Sequence, residues 1–259
     1  MIRGIYISAS GMLLEQTKLD ITANNIAGAQ APGFKKDVPV TDSFPQMLIY
    51  RTGQPAGQPV LLGTSPPGQV GTMSGGATVS ASIPDMARGS GKETGNPLDV
   101  AVDGEGFLVI GTAAGERYTR NGNLTLDAEG RLVTMDGDPV MGQSGEIVLG
   151  EGKAARIEAD GTVYEGMQAV DKLRVVSFAN PAGMIRYSTT LFGESDESGP
   201  AEEMEDARVA PGWLEMSNVN PVTEMVNMIS VMRAYEANQK MLQSQDQTLE
   251  KAVLEVGRI

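Results

Sequence analysis

The chain has 259 residues, 41% of them hydrophobic, and its 20 basic and 33 acidic side chains give a formal charge of −13. It contains neither cysteine nor histidine, which excludes disulfides, thiolate nucleophiles, thiol metal sites and the Ser-His-Asp triad. The charge disfavours nucleic acid and anionic lipid surfaces as partners. No stretch approaches the ~18 apolar residues that span a membrane, so we expect no membrane insertion. We also expect no cofactor and no metal.

The first predicted element is an amphipathic helix from about Ile5 to Ala27, which Gly28 and the following Pro32-Gly33 pair terminate. Its apolar residues recur at an interval of seven, and they are Ile5, Met12, Leu19 and Ile26. This interval keeps one apolar stripe on one side, because seven residues make about two turns at ~3.5 residues per turn. The start has no continuous apolar core and no cleavage site, so we expect no cleaved secretory signal.

A glycine- and proline-rich segment follows, with ten glycines and six prolines between residues 53 and 97. This density disfavours helix and favours extended, irregular chain. We therefore divide the chain into an N-terminal helical segment, residues 1–35, and an extended connector, residues 36–97. One short strand is predicted in the connector, around Val60 to Leu62.

Residues 98–212 are predicted to form a β-rich domain of antiparallel strands, since no long helical pattern separates the apolar runs. Examples of the predicted strands are Leu98 to Val102, Phe107 to Ile110, Leu124 to Leu126, Arg131 to Thr134, Ala155 to Glu158 and Leu173 to Phe178. Turns with positive φ are expected at Asn121-Gly122, Glu129-Gly130, Asp136-Gly137 and Asp160-Gly161.

The segment 194–206 is strongly acidic, and its charged residues are Glu194, Asp196, Glu197, Glu202, Glu203, Glu205 and Asp206. We interpret it as a solvated loop, because clustered like charges repel one another. A calcium site is the alternative, but the segment lacks the spacing of an EF-hand loop.

The last segment, residues 213–259, is predicted to carry a long helix from Pro221 to about Val256, capped by Asn220. A second sevenfold repeat runs along it and consists of Met228, Tyr235, Leu242, Leu249 and Val256. Met225 and Met232 are placed on the second heptad position, which Gln239 and Asp246 interrupt. Together with the first helix, this predicts an α+β fold in which the long terminal helices pair as a coiled coil, with a central antiparallel all-β domain.

We predict no catalytic residues. Asp99, Asp103 and Glu105 are close in sequence, and paired carboxylates can hydrolyse glycosides without histidine. A hydrolase of cell-wall glycan is therefore the alternative from another functional class.

Four stretches of the chain resemble the rod and hook family of the bacterial flagellum. They are Ala23-Asn24-Asn25-Ile26-Ala27 with Pro32-Gly33-Phe34-Lys35; Asn96 to Val102 with Gly104 to Phe107; Tyr118 to Asn123 with Asp127 to Gly130; and Ser217 to Asn220 with Met228-Ile229 and Arg233 to Glu236. They occur in the family's order over almost the whole chain.

The resemblance implies a non-enzymatic axial protein of the basal body that spans the periplasm and assembles with copies of itself and with other rod and hook proteins. It implies export through the flagellar type III apparatus, for which Phe44 and Leu48 are a possible signal or else anchors of the connector. The interface residues would be the two sevenfold repeats with Asn24, Asn25, Gly33, Phe34, Met225 and Met232. The runs 138–142 and 159–163 are more similar to proximal rod members; distal rod members come second, and a short hook-type subunit is a further alternative.

Overall fold

The computed structural model describes residues 2–50, 69–150, 155–204 and 206–256. The strand predicted around Val60, acidic Glu205 and the side chain of Val256 lie outside the described part. The chain divides into two compact units. The helical unit comprises Met1–Ala23, Pro39–Ser82 and Met225–Ile259, and the β unit comprises Asn24–Val38 and Ile83–Glu224.

Both predicted helices are confirmed. Helix α1 runs from Ile2–Gly28 and helix α2 from Pro221–Val256. The Asn220 side chain accepts hydrogen bonds from the amides of Val222 and Thr223 at 3.0 and 3.3 Å, so it caps α2 as predicted. Neither helix has a stretch that is long and apolar enough to cross a membrane, over the residues described.

Within the helical unit, α1 and α2 meet where α1 carries glycine. A side chain at Gly4 would overlap that of Gln245, and one at Gly11 would overlap that of Asn238. These contacts repeat after seven residues on both helices. Small residues allow two helix backbones to approach closely, which brings polar side chains of α2 over the surface of α1.

The covered stripe of α2 differs in part from the predicted one. Met228, Tyr235, Leu242 and Leu249 are partly covered, as are the residues three positions after each, namely Val231, Asn238, Gln245 and Ala252. Met225 and Met232 are instead 52% and 47% exposed. In the single chain they therefore lie away from the side of α2 that carries Asn238 and Gln245, and their assignment to a subunit interface stays a prediction.

The predicted irregular connector contains paired strands. Strand β1 (Asp37–Ser43) pairs with β4 (Ala77–Pro84), and β2 (Gln46–Tyr50) pairs antiparallel with β3 (Gln69–Ser74). The β-branched residues of the two strands, among them Val38 and Val40 in β1 and Val79 and Ile83 in β4, favour this conformation, although the surrounding composition disfavours regular structure. Phe44 and Leu48 are 39% and 52% exposed on this ribbon.

The β unit contains fifteen further strands in the described residues. They are β5 (Gly91–Glu93), β6 (Val100–Asp103), β7 (Phe107–Thr112), β8 (Gly115–Thr119), β9 (Leu124–Leu126), β10 (Leu132–Thr134), β11 (Ala155–Ile157), β12 (Thr162–Glu165), β13 (Gln168–Lys172), β14 (Val175–Ser177), β15 (Ile185–Arg186), β16 (Leu191–Gly193), β17 (Glu202–Glu203), β18 (Arg208–Pro211) and β19 (Trp213–Glu215). A 3-10 turn, Pro181–Gly183, lies between β14 and β15.

The largest sheet has six strands in the order β15-β16-β8-β7-β14-β17. A three-stranded sheet, β11-β12-β13, and the pairs β9–β10, β6–β18 and β5–β19 complete the unit. The pairings between these strands are antiparallel, as predicted. The α+β class is therefore confirmed.

Strand β7 lies between two hydrophobic clusters. Leu108 and Ile110 pack in a cluster with Val100 and Leu132. Phe107 and Val109 pack on the opposite face in the other cluster, since successive side chains of a strand point to opposite sides. The second cluster is aromatic, with Phe107 edge-to-face against Phe178 and Phe192 at centroid distances of 5.9 and 6.3 Å.

Two local predictions need correction. Gly130, Gly137 and Gly161 have positive φ as predicted, but Gly122 does not. Glycine is needed at position 122 because a side chain there would overlap the Val100 carbonyl.

The acidic segment is also more than a solvated loop, since Glu202 and Glu203 form the edge strand β17. Arg174 binds Glu203 of this strand at 2.8 Å and Glu116 of β8 at 2.7 Å, so a cation offsets part of the like-charge repulsion.

Candidate functional site

Segments that are distant in sequence converge within the β unit at the point where α1 ends and α2 begins. We call this cluster the anchor and define it by Asn25, Gly33, Phe34, Lys35, Asp37, Gly89, Arg120, Glu215 and Asn218. Seven of these residues are about nine-tenths or more buried, and they are Asn25, Gly33, Phe34, Lys35, Asp37, Arg120 and Glu215.

An ionic cluster occupies the centre of the anchor. The Lys35 ammonium donates to Glu215 Oε1 at 2.6 Å and to the Ala87 carbonyl at 2.9 Å. The Gly89 amide donates to the same Glu215 oxygen at 2.9 Å. Lys35, Glu215 and Arg120 are 1%, 5% and 3% exposed, so the carboxylate ties the segment after α1 to the segment before α2 in a site that water hardly reaches.

Arg120 completes the cluster from the end of β8. Its Nη1 donates to the Gly104 carbonyl at 2.8 Å and lies 3.6 Å from Glu215 Oε2, while its guanidinium lies 4.7 Å from the centroid of the Phe107 ring. Arg120 Nε and Glu215 Oε2 are both buried without a hydrogen-bond partner among the described residues. The cluster thus has two cations for one carboxylate.

Burial governs the ionisation of these cations. It lowers the pKa of Lys35 below its usual 10.5, and the hydrogen bond and charge of Glu215 oppose that shift. Burial likewise lowers the pKa of Arg120, again against the attraction of Glu215. The Glu215 carboxylate therefore stabilises the charged forms of Lys35 and Arg120 in this buried site.

The predicted motif residues at the end of α1 lie beside this cluster. Asn25 donates to the Asp37 carbonyl at 2.9 Å and accepts from the Asp37 amide at 2.8 Å, so the chain leaving α1 is fixed back onto the helix. Gly33 has φ +70°, and its amide donates to the Glu215 carbonyl at 2.8 Å. A side chain on Gly33 would overlap the backbone of Asn121, so only glycine fits.

Phe34 is fully buried. Its ring lies against Gly28, where any side chain would overlap it. This contact explains why the helix ends in glycine and the following motif contains an aromatic residue. The large apolar ring holds the last turn of α1 against the chain that leaves it.

The segment that precedes α2 is fixed by Asn218. Its Oδ1 accepts from the Lys36 amide at 2.8 Å, and its Nδ2 donates to the carbonyls of Asp85 and Ala87 at 2.8 and 3.1 Å. The Lys36 ammonium lies 2.7 Å from Glu224 in the first turn of α2. Three chain segments are thereby joined immediately before the long helix.

The structure brings only some of the predicted site residues into the anchor. Asn25, Gly33 and Phe34 lie in it, whereas Asn24 is exposed and Ile26 is partly covered. The residues of the two sevenfold repeats lie along the helices, apart from the anchor. Lys35, Arg120 and Asn218 occur in the motifs that carry the family resemblance, but they were not predicted as site residues. Asp37, Gly89 and Glu215 were not predicted at all; the available signal for Glu215 was a single acidic residue that ends the run Trp213-Leu214.

The anchor is arranged to hold chain segments together, because its charged groups are buried against one another and not presented to a substrate. Asp99, considered above for catalysis, is 4% exposed and accepts from Thr94 and Asn96 at 2.7 and 2.9 Å. Asp103 pairs with Arg88 at 3.0 Å. In the part of the chain that is described, no three acidic side chains are grouped so as to hold a metal ion.

Comparison with known proteins gives the same picture over the full length. Residues 5–35 match the family description "Flagella basal body rod protein", residues 101–165 match "Flagellar hook protein FlgE/F/G D1 domain", and residues 210–254 match "Flagellar basal body rod FlgEFG protein C-terminal". The anchor joins residues of the first and third of these regions.

Similar individual proteins carry two names. The flagellar basal-body rod protein FlgG of Bacillus subtilis is 34% identical over 98% of this chain and 98% of its own length. The rod protein FlgF of Caulobacter vibrioides is 32% identical over 100% of both chains. FlgG of Borreliella burgdorferi is 34% identical over 96% of this chain and 97% of its own.

These matches, together with a helix near each end of the described chain and an antiparallel β unit between them in sequence, define a flagellar axial protein. The chain belongs to the family of flagellar basal-body rod proteins. Its function is that of a structural component of the rod. The FlgG and FlgF relatives are nearly equally similar, so identity alone does not select one of the two kinds.

Proposed function

We propose that the chain is a non-enzymatic subunit of the rod that assembles helically with copies of itself and with other axial proteins, and that transmits torque through the anchor. The observation that supports this most directly is the anchor itself. Its buried polar residues are used to fasten the ends of α1 and α2 to the β unit. A protein that carries mechanical load requires such a fixed connection.

The pairing of α1 with α2 as a coiled coil, and their packing against other subunits, are part of this proposal. The contacts at Gly4 and Gly11 support an intrachain pair. Other apolar side chains of the helices stay exposed: Tyr6 and Leu13 by 69% and 65%, and Val226 and Ile229 by 61% and 52%. Exposed apolar surface of this kind marks contact sites for other proteins, so Met225 and Met232 are proposed to face neighbouring subunits.

The proposal keeps the division into residues 1–35, 36–97, 98–212 and 213–259, with the terminal helices as the inner tube and the β domain as the outer layer. It places the protein in the periplasm-spanning rod after export by the flagellar type III apparatus without a cleaved signal. Exposed Phe44 and Leu48 are accessible for the export contact. The runs 138–142 and 159–163 support a proximal rod subunit, and the distal kind is the alternative.

Cells that lack this chain test the function. We expect basal bodies without a complete rod and hook and cells that do not swim, and intact swimming cells would contradict the proposal. A chain without residues 1–35 should fail in both export and assembly, because it lacks α1 and half of the anchor.

The remaining alternative, a glycan hydrolase, has its own test. The purified chain should not cleave peptidoglycan. Turnover that disappears after Asp103→Asn, a change at an exposed carboxylate, would replace the structural assignment by an enzymatic one.

A further inference from the structure

Arg186 lies on the edge strand β15 of the six-stranded sheet and contacts the segment that leaves α1. Its Nη2 donates to the Lys35 carbonyl at 2.5 Å, and Nη2 and Nε lie 3.1 and 3.3 Å from Asp37 Oδ1. Its Nη1 donates to the Thr189 carbonyl at 2.6 Å within its own hairpin. Neither the family motifs nor the predicted site included this arginine.

Two aromatic rings enclose the same guanidinium. Its central carbon lies 4.9 Å from the centroid of the Phe34 ring and 4.8 Å from that of Phe192. Phe34 belongs to the segment after α1, and Phe192 belongs to β16 of the sheet. The arginine side chain is 16% exposed, so its hydrogen bonds are partly shielded from water and correspondingly strong.

We propose that Arg186 is a positioning residue that clamps residues 34–37 to the edge of the six-stranded sheet. The clamp attaches this segment to the edge of the sheet, separately from its bonds to Glu215, Asn218 and Glu224. Asp37 connects the two sides, since its backbone is bonded to Asn25 of α1 and its carboxylate to Arg186. As a route for load between α1 and the sheet, the inference rests on the function proposed above.

The chemistry requires arginine. The planar guanidinium donates in three directions while its faces contact aromatic rings, whereas a lysine ammonium is a single point charge. Lysine could satisfy the Lys35 carbonyl or Asp37, but it could not also bond Thr189 and fill the space between Phe34 and Phe192.

Hydrogen exchange of the purified full chain tests the clamp. In Arg186→Gln we expect the amides of Lys36 and Asp37 to exchange roughly 10- to 100-fold faster, because charged hydrogen bonds that hold this segment are lost. Arg186→Lys, a milder change, should give an intermediate acceleration. Amides of the β12–β13 hairpin should exchange as in the unchanged chain.

Arg117→Gln is the matched control. The Arg117 guanidinium lies 4.0 Å from the ring centroid of Tyr187, the residue that follows Arg186 in sequence. It donates to the Glu116 and Ala114 carbonyls and to none of the described residues 34–37. It should leave the exchange of Lys36 and Asp37 unchanged. Unchanged exchange of these amides in Arg186→Gln, or equal acceleration throughout the chain, would overturn the clamp.

Swimming in media of increasing viscosity tests the load route. Cells with Arg186→Gln should assemble rods in normal number but lose more speed per increase in viscosity than cells with Arg117→Gln. If the two variants lost speed equally, the load route would be refuted. The proposed structural function would stand, because it is contradicted only if cells without the chain still build rods and swim.

Discussion

Replacing Glu215 by glutamine would test the energetic role of the anchor. Glutamine preserves the size and the acceptor oxygen of the side chain but removes the carboxylate that is bonded to Lys35 and paired with Arg120. Breaking a buried ion pair by removing one partner costs about 3–5 kcal/mol, since the other charge is left buried and uncompensated. This is a large part of the ~5–15 kcal/mol that stabilises a typical folded domain.

Trp213 provides the assay. It is the only tryptophan in the chain, it is 40% exposed, and it lies on the same short strand as Glu215. Urea unfolding followed by its fluorescence should show a lower transition midpoint for Glu215→Gln. Circular dichroism of the same samples would establish whether the loss is local or includes the whole β unit.

Glu158→Gln is the control, because Glu158 forms an exposed pair with Arg156 at 3.1 Å, with exposures of 46% and 52%. Removal of such a surface pair costs about 0–1 kcal/mol. If Glu215→Gln lowered the unfolding free energy by no more than this control, the reasoning about the buried cluster would be refuted. A double-mutant cycle with Lys35→Met should show a coupling of about 0.5–3 kcal/mol between the two sites.

Two further changes test other parts of the β unit. Tyr118→Phe should abolish a decline in stability at alkaline pH. Burial of the Tyr118 phenol, and then its hydrogen bond to Glu194 at 2.5 Å, raise its pKa in the folded state above the usual 10.0. The neutral phenol therefore stabilises the fold below pH 10, and this contribution is lost as the pH rises through the folded pKa. Denaturant midpoints between pH 9 and 12 would measure this, and an unchanged slope would contradict it. Gly33→Ala should lower the free energy of unfolding more than Gly166→Ala does. Both glycines have similar positive φ, +70° and +65°, but of the two only Gly33 has backbone atoms where the new Cβ would lie. Gly166→Ala therefore measures the backbone strain alone, about 1–2 kcal/mol, and equal thermal unfolding temperatures of the two variants would argue against the overlap with Asn121.

Local sequence signals were sufficient for both helices and for six of the fifteen strands described in the β unit. Asn220 and Pro221 specify the start of α2 regardless of what packs on it, and the structure begins the helix at Pro221. The run Leu124 to Leu126 forms a strand with the predicted bounds. Such signals depend on neighbours within a few residues, so they can be read without knowledge of the fold.

Features that depend on distant partners were not predictable. Lys35 and Glu215 are 180 residues apart, and no local pattern links them. The exposed positions of Met225 and Met232 also depend on a partner, because glycines of α1 select which side of α2 is covered. Periodicity defined the apolar residues of α2 but could not define the side on which α1 packs.

The separation of Lys35 from Glu215 has a consequence for the order of folding. The anchor cannot close until residues 215–218 have been synthesised, which is about 10–35 s after Lys35 at ~5–20 residues per second. Throughout that interval the segment around Gly33 and Phe34 lacks its carboxylate and amide partners from the end of the chain. The N-terminal motif can therefore become buried in the anchor only after the residues that precede the last helix have been synthesised.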